Sequence, residues 1–127
     1  MIQIKSLNKK FGKLTVLDGL DLKIGKEGIF AILGPNGSGK TTLIKSILGM
    51  VIPDKGDIKL EEESILGKWN YRNKINYLPQ IANVPANLTV NELIEMVKNL
   101  RPKEAHDTDL IQLFDVQPFL DKKLGNL

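Results

Sequence analysis

Apolar residues fall at every second position near the start of the chain. Ile2 and Ile4 alternate with Gln3 and Lys5, and Leu20, Leu22 and Ile24 alternate with Asp21 and Lys23. A period of two with one polar face predicts half-buried antiparallel strands. The run Gly28-Ile29-Phe30-Ala31-Ile32-Leu33 is apolar on both faces. That pattern predicts a strand covered on both sides, as in a parallel α/β sheet. Residues 34–39 are too glycine-rich for regular structure. Over residues 40–48 the period lengthens, with Leu43, Ile44, Ile47 and Leu48 on one helical face and Gly49 placed to end the helix. Ile52-Pro53-Asp54-Lys55-Gly56 reads as a turn, residues 57–60 as a short strand, and 61–70 as polar and ambiguous. Residues 75–78 read as a strand stopped by Pro79.

Beyond Gln80 the pattern is helical. Thr89-Val90-Asn91-Glu92 has the form of a capping box, with Thr89 as N-cap and Glu92 reaching back to it. Leu93, Ile94, Val97 and Leu100 follow on one face, and Pro102 closes the segment. A second helix is expected over residues 107–114. No internal repeat or low-complexity segment interrupts the chain.

Composition narrows the chemistry. The 127 residues are 42% hydrophobic and 26% charged, which excludes wholesale disorder and suits a folded globular domain or part of a larger one. The absence of cysteine excludes disulfides, thiolate zinc sites and thiol catalysis, and a single histidine is too few for a His-rich metal cluster. No apolar run approaches the roughly 18 residues of a membrane span, and Met1-Ile2-Gln3-Ile4-Lys5 lacks a signal-peptide pattern, so a cytosolic location is expected. The net charge of +3 is uneven. Ten lysines face five acids over residues 1–60, whereas eight basic residues face ten acids over 61–127. A basic first half suits an anionic ligand, but the plainer reading is a solvated lysine surface.

The segment Gly34-Pro35-Asn36-Gly37-Ser38-Gly39-Lys40-Thr41 satisfies the phosphate-loop pattern G-x-x-x-x-G-K-[ST]. A polyphosphate offers many acceptor oxygens, and a loop can wrap its amides around them only where side chains leave the backbone bare. The helix that follows turns its unpaired N–H groups and its dipole toward the same phosphates. Asn36, Gly37, Ser38, Gly39, Lys40, Thr41 and Thr42 are therefore the candidate ligand-binding residues. Lys40 is placed for the β- and γ-phosphates, and the Thr41 hydroxyl is a hard oxygen donor for Mg2+.

With these residues in view, the chain resembles the ATP-binding cassette (ABC) ATPases. Residues 34–42, with Pro-Asn and the double Thr, look like that family's phosphate loop. Asn8-Lys9-Lys10-Phe11-Gly12-Lys13 followed by Val16-Leu17-Asp18-Gly19-Leu20 looks like its opening. The resemblance implies that Phe11 stacks on adenine and that Val16 packs beside the nucleotide. Tyr77-Leu78-Pro79-Gln80 looks like the strand and glutamine of the Q-loop, which implies that Gln80 contacts magnesium and the attacking water. Asn87 to Glu92 resembles the start of the helical subdomain.

The expected fold is therefore α/β: a P-loop NTPase core with an N-terminal antiparallel β subdomain over 1–80 and the start of a helical subdomain over 81–127. The family's signature loop, its Asp-Glu strand and its switch histidine are not matched up to Leu127. The chain thus reads as the N-terminal half of a nucleotide-binding domain, and His106 reads as an exposed loop residue. The resemblance implies ATP and Mg2+ as ligands, with Lys40 and Gln80 in catalytic roles. It also implies a transmembrane permease and a second nucleotide-binding domain as partners, at the inner face of the membrane, and no nucleic acid. Two alternatives stand beside it. One is a soluble ATPase of the same type acting on ribosomes or nucleic acid, and the other is a non-catalytic interaction module.

Overall fold

A computed structural model describes residues 1–80, 83–100 and 107–127, in two compact units, Met1–Asn76 and Tyr77–Leu127. Pro102 and His106 lie outside the described residues, and with them the readings made for those two positions.

The first unit is built on a four-stranded antiparallel sheet. Strands β1 (Ile2–Phe11), β2 (Leu14–Ile24), β3 (Lys55–Leu60) and β4 (Glu63–Ser64) lie in the order β2-β1-β3-β4. The alternation at the N-terminus is borne out, with Ile2 opposite Ile24 and Ile4 opposite Leu22. Strict alternation does not persist along β1, because both Ile4 and Leu7 are buried. An irregularity between them inserts one residue, and Ser6 takes a positive φ of 47°. The Ser6 amide donates to the Asp21 carboxylate at 2.7 Å. The Asn8 side chain bridges the same stretch, donating to the Ser6 carbonyl and accepting from the Gly19 amide. Side chains here satisfy the backbone groups that the ladder leaves unpaired.

Helix α1 (Lys40–Ile47) packs Leu43 against the sheet, in a core with Ile4, Leu7, Leu17, Ile58, Ile65 and Tyr71. Burial of each such side chain contributes about 1.5–3 kcal/mol. Gly49 ends the helix as expected, at φ 69°. Its amide donates to Ser46 and that of Met50 to Lys45, the paired bonds of a Schellman motif. The Arg72 guanidinium donates to the Gly49 carbonyl at 3.0 Å and lies over the Trp69 ring, which ties the helix end to the short 3-10 turn Asn70–Lys74.

Two expected strands are absent. Residues 28–33 and 75–78 belong to no strand. A run apolar on both faces becomes a strand only when neighbours supply ladder bonds and cover both faces. Among the described residues none pairs with 28–33, and Ile29 and Leu33 are 102% and 89% exposed. The apolar pattern was legible; its partners are not among the antiparallel strands of this sheet.

In the second unit α2 (Val90–Asn99) begins at the expected capping box. The Glu92 amide donates to Thr89 Oγ1 at 3.1 Å, and the Thr89 amide donates to Glu92 Oε2 at 2.8 Å. Leu93 and Ile94 are half-buried, while Val97 and Leu100 are exposed. Helix α3 (Asp107–Leu113) follows. The chain then returns to the start of α2, where the amides of Val90 and Asn91 donate to the carbonyls of Lys122 and Leu120.

Candidate functional site

The phosphate-loop residues sit between the exposed 28–33 segment and α1. Gly39 is the N-cap of α1 and takes φ 88°, ψ 2°, a left-handed conformation that a side chain resists. Space points the same way: a Cβ at this position would stand 2.8 Å from the Val16 carbonyl oxygen and 3.2 Å from Val16 Cγ1. Strand β2 therefore backs directly onto the loop, and only glycine allows that approach. At Gly34 a Cβ would meet Ser38 Oγ at 2.8 Å, so the loop also closes tightly on itself.

No side chain caps α1, and no acidic residue stands in its first turn. The positive end of the helix is therefore not offset by a side chain of its own first turn. The Lys40 ammonium folds back over the loop and donates to the carbonyls of Gly34 and Pro35, each at 2.7 Å, with Ser38 Oγ at 3.5 Å. The charge is held at the loop by neutral acceptors. The Ser38 amide donates to the Pro35 carbonyl at 3.3 Å, while Asn36, Gly37 and Ser38 are exposed. Thr41 is exposed. Thr42 is half-buried, and its carbonyl accepts from the buried Ser46 hydroxyl at 2.9 Å. Between β2 and the loop lies a hollow of about 360 Å³, lined among others by Val16, Leu33, Ser38, Gly39 and Lys40.

Phe11 closes β1 and is 49% exposed, with the Lys9 ammonium 5.4 Å from its ring centroid. The structure thus brings Val16 and Lys40 together around the hollow and leaves the Phe11 ring accessible. Gln80 belongs to the other unit, where it is exposed at a bend after Pro79. Asp54, a turn residue by its sequence, makes two contacts with the end of β1. Its carboxylate accepts from the Lys10 amide at 2.7 Å and from the Lys9 ammonium at 3.0 Å. These two contacts hold the carboxyl below its ordinary range, the amide bond first. No sequence pattern ties this turn to the end of β1, 44 residues away.

The ABC transporter family model matches residues 17–127. A protein of Archaeoglobus fulgidus assigned as a branched-chain amino acid transport ATP-binding protein, LivF, is 36% identical over 134 aligned residues, covering all of this chain and 57% of that one. The Nod factor export ATP-binding protein I of Ralstonia nicotianae is 36% identical over 97 residues, covering 76% of this chain and 30% of that one. A solved structure from Pyrococcus furiosus, assigned as an ABC transporter ATP-binding protein, superposes with a TM-score of 0.80 at 29% identity. It covers 99% of this chain and 62% of that one. The chain spans about half the length, or less, of the curated relatives it matches. The α/β P-loop NTPase reading is borne out by these cassettes, and the chain belongs to the ABC transporter family.

Proposed function

We propose that the chain is the nucleotide-binding part of an ABC transporter ATPase and takes Mg·ATP through residues 34–42. One observation carries the reading. A left-handed glycine opens α1 with no capping side chain, while the Lys40 ammonium rests on the carbonyls of the same loop. A phosphate oxygen offers that ammonium a charged partner in place of neutral ones, and such bonds are about twice as strong. The amides around Asn36, Gly37, Ser38, Gly39 and Thr42 take the remaining phosphate oxygens, Phe11 stacks on the base and Val16 packs beside it.

For Mg2+ the Thr41 hydroxyl would supply one oxygen donor, and the family resemblance assigns a second to the Gln80 carbonyl. Among the described residues no group of three or more His, Asp or Glu stands ready for a metal. That suits a magnesium that keeps most of its ligands as water and phosphate oxygen. When bound, the metal offsets charge on the β- and γ-phosphates. Lys40 holds the γ-phosphate in place and Gln80 orients water.

The relatives' names place ATP-binding proteins in transporters of branched-chain amino acids and Nod factor. By that parallel the chain works at the inner face of a membrane, through a permease and a second nucleotide-binding domain. Among the described residues no helix is long and apolar enough to cross a membrane itself. Residues 1–80 serve as the β subdomain and nucleotide core, and residues 81–127 as the start of the helical, partner-facing part.

Calorimetry with Mg·ATP tests the reading. Binding is expected. Lys40→Ala should weaken it about 10- to 100-fold, the worth of a hydrogen bond to a charged group. No heat of association at millimolar Mg·ATP would overturn it.

A further inference from the structure

The ladder between β1 and β3 ends where Asn8 pairs with Lys55, two residues before Lys10 and three before Phe11. On that side, among the described residues, no strand lies beside the last residues of β1. Asp54, immediately before β3, takes the place of the missing strand. Its own amide donates to the Asn8 carbonyl at 2.8 Å, its Oδ2 accepts from the Lys10 amide at 2.7 Å, and its Oδ1 accepts from the Lys9 ammonium at 3.0 Å. The Lys9 ammonium in turn lies over the Phe11 ring, 5.4 Å from its centroid. On the other side Phe11 pairs with Leu14 across a two-residue turn, next to an irregularity between Lys9 and Lys10. One exposed carboxylate therefore sets both the backbone entering Phe11 and the cation that covers the ring.

We propose that Asp54 is a positioning residue for nucleotide binding: it holds the end of β1, and through Lys9 one face of the Phe11 ring, so that the ring stands ready for the base. The inference rests on the reading of Phe11 as the residue that stacks on adenine. Asp54 contributes to recognition of the base and nothing to recognition of the phosphates. Its loss leaves Phe11 present but mobile, so ordering the ring then opposes binding.

The test compares Mg·ATP with magnesium tripolyphosphate, which has the phosphates and no base, by calorimetry on the 127-residue chain. Base–aromatic stacking is worth about 1–3 kcal/mol, so Phe11→Ala should weaken ATP about 5- to 150-fold and leave tripolyphosphate unchanged. Asp54→Ala should weaken ATP by about three- to tenfold, a fraction of that stacking, and also spare tripolyphosphate. Asp54→Asn, which keeps an acceptor for the Lys10 amide, should recover part of the loss. Combined with Phe11→Ala, Asp54→Ala should add nothing. Equal weakening of both ligands by Asp54→Ala would show a general structural effect and overturn the proposal. So would full ATP affinity in Asp54→Ala while Phe11→Ala is impaired. Unchanged ATP affinity in Phe11→Ala would remove the stacking reading itself, and the role of Asp54 with it. Retained tripolyphosphate binding in each variant reports that the phosphate loop is still folded.

Discussion

At the scale of single residues the loop works by what its side chains leave out. Gly39 combines a left-handed φ with an approach to Val16 that a methyl group would block. Gly39→Ala must therefore bear the left-handed penalty of about 1–2 kcal/mol and also push β2 from the helix start. The expected result is a loss of at least that size in urea denaturation, together with lost Mg·ATP binding by calorimetry. Thr41 is the opposite case. It is exposed, unlike the closely approached Gly39. Thr41→Val should leave thermal unfolding within about 0.5 kcal/mol of the parent, as for surface changes away from special features. The same change should remove the gain in ATP affinity on adding magnesium, measured by titration with and without the metal. A magnesium effect undiminished in Thr41→Val would take Thr41 out of the metal site. Most of this was legible from the motif, because phosphate chemistry prescribes residue types at fixed spacing. The reach of Asp54 across to Lys10 was not, since nothing in a Pro-Asp turn says which strand end its carboxylate will meet.

Among elements, local signals and the alternating segments 2–4, 20–24 and 57–60 agree with the structure, whereas the apolar runs 28–33 and 75–78 form no strand. The capping box of α2 and the glycine stop of α1 are decided within five or six residues, and both stand as expected. The 28–33 run was read as a strand from its apolarity, but a strand is a relation between segments, and the segment has no ladder here. The break in alternation at Ser6 was missed for a related reason. It depends on Asp21 and Asn8 meeting backbone groups of a paired strand. The α2 cap yields a prediction with a defined sign. The Thr89 amide, bonded to the Glu92 carboxylate, and the Thr89 hydroxyl beside it hold the Glu92 carboxyl below its ordinary value of 4.5. A depressed carboxylate stabilises the fold above its unfolded value, and the contribution fades as pH falls through the folded one. Amide exchange at residues 90–93 should therefore rise as pH falls below about 4.5, after correction for the intrinsic rate. Glu92→Gln should flatten that pH dependence. Thr89→Ala should cost about 1 kcal/mol at neutral pH.

For the molecule as a whole, the exposed apolar run 29–33 matters more than any single site. Ile29 is fully exposed, Leu33 nearly so and Phe30 about half, in a segment outside every strand. Apolar side chains gathered in one segment seek cover, and backbone groups without a ladder seek strand partners; both needs are met by another chain. The modest net charge of +3 opposes such contact only weakly. Self-association that grows with protein concentration is therefore expected in light scattering. Ile29→Lys places a charge on that segment, five residues before Gly34, so it should disperse the chain while leaving Mg·ATP affinity within about twofold, as expected for a surface change with no lost contact. Raising the salt concentration should strengthen association in the parent, because screening removes charge repulsion and leaves apolar attraction. A parent chain that stays monomeric at high concentration and high salt would show that the run is covered within the chain in solution. Association that persists undiminished in Ile29→Lys would place the contact elsewhere, with the exposed Val97 and Leu100 of the second unit next to be changed.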